Sequence, residues 1–308
     1  MVINIYNEYA PLKKVIIGDA SRLFFPDTRE IDKEQGIPLW KQLMTQTIYR
    51  LLKGKQVPKW LTKPFQKELL HFEKLLKDHQ VEVHRVRPIH PEVSEEPGMA
   101  QMYARDSTLC IGDLLIEGNL KMSMRKKERR GYQSLIAASQ KDGKVATMSQ
   151  TKSAYLEGGD VLVDYPNVFV GIGRHASNLA GVEWLRKCLD DSWIVIPVRL
   201  KDDSVLHLDC CMTIIGPKTA IICREVLEEL PEELENYRFI EIDKKSQLEM
   251  AGNVLVLGNN KVVVQKRHKR LQEDLRDHGF IPLPLSFTWH TLLDGAFRCA
   301  SCPLERGE

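Results

Sequence analysis

The stretch DVLVDYPNVFVGIG, residues 160–173, decides the fold class of this 308-residue chain. Two valine-rich runs of strand length flank Tyr165-Pro166-Asn167, a pattern that is typical of a β-hairpin. Similar runs flank turn-forming residues at three further places: Thr108–Glu117 across Gly112-Asp113, Met212–Cys223 across Gly216-Pro217, and Val254–Val264 across Gly258-Asn259-Asn260. The chain therefore contains a repeated hairpin element.

Segments with the spacing of amphipathic helices alternate with these hairpins. They are Pro64–Asp78, Ala180–Leu189 and His268–Asp277. Single apolar runs such as WIVIPV and RFIEI supply further strands. The order strand–strand–helix–strand recurs about five times, at intervals of very roughly 45 to 60 residues. We therefore predict an α/β fold of β-β-α-β units that close on themselves.

Residues 34–63 interrupt this order. We expect a helical excursion there, between the first strand and the helix that follows Pro64. The chain has no low-complexity linker, so we predict a single domain over residues 1–308.

Charge and composition argue against several functional classes. The chain has 44 basic and 42 acidic residues, a net charge of +2, which argues against a dedicated nucleic-acid or membrane-surface binder. The N-terminus MVINIYNEYAPLKKVIIGD lacks the features of a signal peptide, and no apolar stretch is long enough to span a bilayer. We expect a cytoplasmic protein whose seven cysteines are mostly thiols, and oligomerisation stays open.

Four short polar clusters adjoin the apolar runs, where α/β scaffolds expose side chains to substrate. They are Tyr103–Ser107, Leu156–Asp160, Leu206–Asp209 and the final phrase FRCASC, residues 297–302. The first three also have ordinary explanations, namely a surface ion pair or turn cap, a turn into a strand, and a buried histidine that its neighbour satisfies. As a strand, residues 206–209 would place His207 and Asp209 on one face, equipped for acid–base work.

Cys299 and Cys302 allow several interpretations. A thiolate nucleophile needs an acid or base within reach, and His207 is available. A zinc site needs four ligands in paired spacing, whereas the chain offers a single CxxC. A thioredoxin-like motif opens a helix early in a β-α-β unit, whereas this pair follows the last predicted strand and precedes Pro303. The metal and redox interpretations are therefore weak, and we treat Cys302 as a packing residue.

Together the clusters supply a cysteine, a histidine and several carboxylates. That set suits a planar cationic electrophile such as a guanidinium group, because paired carboxylates accept hydrogen bonds from its N–H fork. The thiolate would attack the central carbon, and the histidine would move protons to and from the departing amine.

On these motifs the sequence resembles the guanidino-group-modifying enzyme superfamily, which includes arginine deiminases, amidinotransferases and dimethylarginine dimethylaminohydrolases. The matching motifs occur in order: Arg105-Asp106, E-G-G-D from Glu157, H-L-D from His207, and Gly295-Ala296-Phe297-Arg298-Cys299. The likeness extends from NEYAPLKKVIIGD to the last residues. The resemblance implies the pentein fold, an α/β propeller of five β-β-α-β units with pseudo-five-fold symmetry.

The resemblance also implies the catalytic residues. Cys299 would be the nucleophile that forms a covalent thiouronium intermediate, and His207 the general acid and base. Glu157 would orient His207, or support it together with Asp160.

The implied substrate is arginine or a related small guanidino compound. Asp106 and Asp209 would bind the guanidinium nitrogens, and Arg174 and Arg125 would bind a substrate carboxylate. Asp160 is a further candidate for substrate binding. No metal or organic cofactor is implied.

Two branches of the superfamily share features with this chain. The E-G-G-D phrase resembles the hydrolases. Asp209 favours an arginine-deiminase-like hydrolase that releases ammonia, since dimethylarginine hydrolases tend to have lysine at the position of Asp209. The FRCASC phrase, Met124-Arg125…Glu128 and Trp184 resemble amidinotransferases, so transfer to an amine acceptor is the alternative. A thiol redox protein and a non-catalytic binding protein are more remote alternatives.

Overall fold

The computed structural model describes residues 2–25, 47, 51–52, 54–89, 100–141 and 144–307. The strands within these residues are β1 (Leu12–Ile17), β2 (Glu82–Arg85), β3 (Thr108–Ile111), β4 (Leu114–Glu117), β5 (Val145–Thr147), β6 (Val161–Asp164), β7 (Asn167–Ile172), β8 (Ile194–Arg199), β9 (Met212–Gly216), β10 (Thr219–Ile222), β11 (Arg238–Glu241), β12 (Leu255–Gly258), β13 (Lys261–Gln265), β14 (Ile281–Leu285) and β15 (Ser301–Arg306). The helices are α1 (Lys59–Asp78), α2 (Gln133–Gln140), α3 (Leu179–Cys188), α4 (Lys244–Leu248), α5 (Lys269–Asp277) and α6 (Thr288–Thr291).

The strands form five separate three-stranded sheets of one design. Each sheet contains an antiparallel pair and a third strand that runs parallel to the central one; in the sheet β6-β7-β8, Val161 pairs with Val170 and Asn167 with Ile194. A helix lies between the central and third strands of four units, whereas 3₁₀ turns at Arg224–Val226 and Glu232–Leu234 link β10 to β11. The predicted α/β propeller of five β-β-α-β units, the pentein fold, is confirmed.

The two ends of the chain share one sheet. Strand β1 pairs antiparallel with β15, from Leu12 opposite Arg306 to Ile17 opposite Ser301, and parallel with β2 on its other side. The assumption that no strand follows Cys299 is therefore wrong. Its source is Pro303, which reads as a strand breaker but lies in β15, at the edge of the sheet, where a missing N–H is tolerated.

Helix α1 begins at Lys59, earlier than the predicted start at Pro64, and Pro64 lies inside it, where the proline lacks the N–H of one helical hydrogen bond. Most of the expected helical excursion over residues 34–63 lies outside the described residues; Thr47, Leu51 and Leu52 are helical, and residues 59–63 belong to α1. None of the described helices is long and apolar enough to cross a membrane.

The core packs directly behind the end of the chain. Phe72 of α1 is fully buried, and its ring lies 5.4 Å from that of Phe297, which stacks on Phe287 at 4.6 Å. Full burial of such a side chain stabilises the fold by about 1.5–3 kcal/mol. These aromatic contacts therefore fix the turn that carries Cys299.

Candidate active site

The four predicted clusters occupy equivalent positions in four units of the propeller. Residues 103–107 precede β3, residues 157–160 precede β6, residues 207–211 precede β9, and residues 296–300 precede β15. Pseudo-symmetry brings these turns together at the centre, where the Arg105 N–H donates to the Cys299 carbonyl at 3.0 Å and the Gly158 N–H donates to the Asp106 carbonyl at 3.1 Å. Residues far apart in sequence therefore form one buried cluster.

The strand predicted over residues 206–209 is wrong. His207 has extended backbone, with φ −134° and ψ 162°, but Leu208–Cys210 is one 3₁₀ turn that leads into β9. The turn still brings the side chains together, since the ligand atoms of His207, Asp209 and Cys210 lie within 4.8 Å of one another. Their proximity comes from a tight turn and not from strand alternation. The same trio has the residue types of a cation site.

The two glycines of the E-G-G-D phrase allow the turns to approach each other. A Cβ atom on Gly158 would overlap the carbonyl oxygen of Arg105. A Cβ atom on Gly159 would lie 2.7 Å from Cγ of His207 and 2.9 Å from Oδ1 of Asp106, closer than real Cβ contacts. Glycine is therefore required for close packing against the histidine ring.

His207 is buried among carboxylates. Its Nε2 lies 2.9 Å from Oε2 of Glu157, and its Nδ1 lies 4.0 Å from Oδ1 of Asp106. Burial disfavours the imidazolium, but Asp106, Glu157 and Asp160 outweigh that effect and raise the pKa of His207 well above its ordinary range. The surrounding carboxylates therefore favour the protonated form of the ring.

Glu157 and Asp160 hold His207 from two directions. Besides His207, Glu157 accepts a hydrogen bond from the Lys121 N–H at 2.9 Å. Asp160 accepts the backbone N–H groups of Ser177 at 3.0 Å and Leu208 at 2.9 Å, one on each oxygen. Burial raises the pKa of Asp160 to about 6, against the opposing effect of the His207 charge and these hydrogen bonds. With both oxygens occupied, Asp160 positions the turn after His207.

Asp106 and Asp209 each bind an arginine through one carboxylate oxygen. Oδ2 of Asp106 accepts from Arg125 Nη1 at 2.8 Å, and its Oδ1 has no hydrogen-bond partner among the described residues. Oδ2 of Asp209 accepts from Arg298 Nη1 at 2.9 Å. Its Oδ1 has thiol neighbours, Cys299 Sγ at 3.6 Å and Cys210 Sγ at 3.7 Å. Oδ1 of Asp106 is therefore unpaired among the described residues, whereas Oδ1 of Asp209 contacts thiol groups.

The two cysteines of FRCASC occupy different environments. Cys299 belongs to the central cluster, with its sulfur 3.6 Å from both oxygens of Asp209. Cys302 lies within β15, fully buried, with its sulfur 3.3 Å from the Thr108 carbonyl oxygen. Neither forms a disulfide. The environments of the two thiols are therefore unequal.

The two arginines predicted to bind a substrate carboxylate differ in environment. Arg125 is buried; besides Asp106 it binds Glu128, through Nε at 3.0 Å and Nη2 at 2.9 Å. Burial disfavours its charge, but Glu128 and Asp106 raise the pKa of Arg125 well above its ordinary value. Arg174 is more than half exposed and pairs with Asp203 at 2.9 Å. Arg125 therefore belongs to the buried cluster, and Arg174 lies towards solvent.

Three buried residues of this cluster were not predicted. Arg298 joins Asp209 to Glu8 through hydrogen bonds of 2.9 and 2.8 Å. Asn253 contacts the turn that carries Cys299. In the sequence, Asn253 could have been identified only by its position shortly before β12, because the other units have their polar residues at the equivalent position. Arg298 and Glu8 offer a weaker signal, as charges within or beside apolar runs.

A sequence profile of the eukaryotic N,N-dimethylarginine dimethylhydrolase family matches residues 60–306. The profile favours the dimethylarginine hydrolases more than residue 209 alone indicates.

Individual relatives include both characterised and uncharacterised proteins. The uncharacterized protein YkgA of Bacillus subtilis is 27% identical over 238 residues, 76% of this chain and 77% of that protein. Mitochondrial glycine amidinotransferase of Gallus gallus is 23% identical and covers 98% of this chain and 82% of its own length. The solved structure of SxtG, an amidinotransferase of the saxitoxin biosynthetic pathway from Microseira wollei, superposes with a TM-score of 0.80 at 20% identity, covering 99% of this chain and 98% of SxtG.

Proposed function

We propose a catalytic mechanism for this chain, which belongs to the eukaryotic-type N,N-dimethylarginine dimethylhydrolase family and is an enzyme that modifies guanidino groups. In this mechanism Cys299 is the nucleophile, and the reaction is hydrolysis of arginine or a related guanidino compound. The observation that carries the proposal is the convergence of Cys299, His207, Asp106 and Asp209 in one buried cluster.

Substrate binding uses the carboxylate oxygen of Asp106 and that of Asp209 that no arginine holds. The guanidinium donates its N–H groups to Oδ1 of Asp106 and Oδ1 of Asp209, because Oδ2 of each is occupied by an arginine. A planar cation between two carboxylates regains in hydrogen bonds what burial costs it in hydration. Asp209 contacts the Cys299 sulfur at 3.6 Å, so a guanidinium bound there has its central carbon beside the nucleophile.

The first half-reaction forms the covalent intermediate. The Cys299 thiolate attacks the central carbon of the guanidinium and gives a tetrahedral adduct. The His207 imidazolium then donates its proton to one nitrogen, and that C–N bond breaks to release ammonia or an amine. A thiouronium remains on Cys299, and the imidazole is neutral.

The second half-reaction returns the enzyme to its starting state. Neutral His207 takes a proton from water, and the resulting hydroxide attacks the thiouronium carbon. The C–S bond breaks, the thiolate leaves, and the hydroxyl proton passes to solvent as the carbonyl of the ureido product forms. Nδ1 is the ring nitrogen that moves protons, because Nε2 is held by Glu157 at 2.9 Å.

The remaining predicted residues support this site. Arg125 holds Asp106 in place, and binding of a substrate carboxylate falls to Arg174, on the loop whose Ser177 contacts Asp160. We also propose that the chain acts as a single domain in the cytoplasm, which suits seven cysteines without a disulfide.

A panel of guanidino compounds tests the reaction. The protein is incubated with each compound, with and without amine acceptors, and products are identified by mass spectrometry. Hydrolysis predicts ammonia or amine release without an acceptor, together with a transient mass adduct on the Cys299 peptide. The Cys299→Ala variant is expected to bind substrate and to lose turnover. Retained turnover in that variant would overturn the mechanism.

Amidino transfer is the second candidate, and the likeness to Gallus gallus glycine amidinotransferase over 98% of this chain favours it. The thiouronium is common to both reactions, and the two differ in whether water or an amine attacks it. Product formation that depends on an added amine, with no ureido product in its absence, would replace hydrolysis by transfer.

A further inference from the structure

Asn253 lies in the fifth unit at the position where the other four units have the polar residues of the central cluster. It lies just before β12 and is fully buried. We infer that Asn253 is a positioning residue for Cys299: its amide oxygen holds the turn that carries the nucleophile, and its amide N–H stabilises the thiolate. This inference rests on the proposed function, in which Cys299 is the nucleophile.

The amide oxygen of Asn253 accepts hydrogen bonds from three backbone N–H groups. Oδ1 of Asn253 accepts from the N–H groups of Ala296 at 3.2 Å, Arg298 at 3.1 Å and Cys299 at 3.2 Å. Buried backbone N–H groups without a partner cost about 1–3 kcal/mol each. One side-chain oxygen therefore satisfies three donors and fixes the backbone that aims the sulfur.

The amide nitrogen of Asn253 lies within hydrogen-bond distance of the sulfur of Cys299. Nδ2 of Asn253 lies 3.1 Å from Sγ of Cys299 and also 3.1 Å from the carbonyl oxygen of Asp209. An amide nitrogen has two N–H groups, one for each acceptor. A thiolate accepts the N–H bond more strongly than a thiol does, so this donor favours the nucleophilic form.

The N–H donor matters because the sulfur also has a negative neighbour. Both oxygens of Asp209 lie 3.6 Å from Sγ, and that charge opposes formation of a thiolate. The N–H donor of Asn253 offsets the repulsion between Asp209 and the thiolate, and it adds no charge. Aspartate would keep the oxygen that accepts the three backbone donors but would replace the N–H donor by an acceptor.

The Asn253→Asp substitution therefore separates the two functions. The full-length wild type and variant are treated with iodoacetamide between pH 5 and 9, and modification of the Cys299 peptide is followed by mass spectrometry. We expect the midpoint of the Cys299 alkylation profile to move up by at least one pH unit in the variant. At pH values below both midpoints, alkylation then slows at least about tenfold. A variant profile that coincides with that of the wild type would overturn the donor function.

Asn119→Asp is the matched control, because Asn119 is equally buried but donates to the carbonyl oxygens of Lys152 and Ala154. The Cys299 alkylation profile of Asn119→Asp should match that of the wild type. A shift as large as that of Asn253→Asp would overturn the inference, because any buried Asn→Asp change would then produce the effect.

Asn253→Ala removes both functions, and we expect it to lower the melting temperature more than Asn253→Asp does; the reverse order would refute the holding function. Alkylation needs no turnover, so its outcome is independent of whether Cys299→Ala abolishes activity.

Discussion

Replacing Glu8 by glutamine tests how strongly one carboxylate supports the buried arginines beside the site. Glu8 accepts a hydrogen bond from Arg298 at 2.8 Å, and Arg105 and Arg306 lie close enough to act on its charge. Burial alone would raise the pKa of Glu8, but these three arginines lower it to about 2 from the ordinary 4.5. The substitution keeps an acceptor oxygen and removes the charge.

The size of the effect follows from that pKa. A carboxyl group with a lowered pKa in the folded state stabilises the fold above its unfolded pKa and loses that contribution as the pH falls through its folded pKa. The contribution is about 3 kcal/mol at pH 7 and about 2 kcal/mol at pH 3.5, at about 1.4 kcal/mol per pH unit. Removal of one partner from a buried ion pair typically costs about 3–5 kcal/mol, which agrees.

Urea unfolding followed by tryptophan fluorescence measures the difference. We expect Glu8→Gln to lower the free energy of unfolding by about 3 kcal/mol at pH 7, with a smaller loss at pH 3.5. Glu82→Gln is the control, because Glu82 is exposed and pairs with surface Lys14 and His84; its stability should match that of the wild type. A Glu8→Gln variant as stable as the wild type at pH 7, or a deficit independent of pH, would refute the reasoning.

Three further substitutions test the site by activity. Gly159→Ala places a Cβ 2.7 Å from the ring of His207, so kcat/KM should fall at least about a hundredfold while the protein stays folded; near-wild-type activity would show that the ring can move aside. Glu157→Gln removes an anion that supports the imidazolium, which lowers the pKa of His207, so the alkaline limb of the pH–rate profile should move to lower pH; an unmoved limb would contradict this assignment. Cys302→Ser should change kcat/KM by less than about threefold, since Cys302 packs in β15, and a loss as large as that of Cys299→Ser would favour a redox pair.

Much of the fold was predictable because its signals are local. Valine-rich runs around Tyr165-Pro166-Asn167 determine a hairpin within about a dozen residues, and both strands were located correctly. Strand β15 was not predictable in the same way. Its pairing partner β1 lies at the opposite end of the chain, and Pro303 conceals the strand from any local pattern.

In the candidate site, too, the residues with local sequence signals were predicted and those defined by distant contacts were not. His207 and Asp209 were identified by residue type, although the strand geometry assumed for them was wrong. Asn253 was missed because a neutral amide has no distinctive chemistry in a sequence. Its function appears only where the oxygen meets the N–H groups of Ala296, Arg298 and Cys299, more than forty residues away.

The pairing of β15 with β1 has a consequence for synthesis on the ribosome. A nascent chain that stops short of residue 296 already contains Asp106, Glu157, His207 and Asp209, but lacks Cys299, the nucleophile of the proposed mechanism, and β15, the strand that pairs with β1. Translation therefore produces Cys299 and β15 together, after the other members of the cluster. Under the proposed mechanism a partial chain can neither complete the sheet around β1 nor form a thiouronium, so activity requires synthesis of β15.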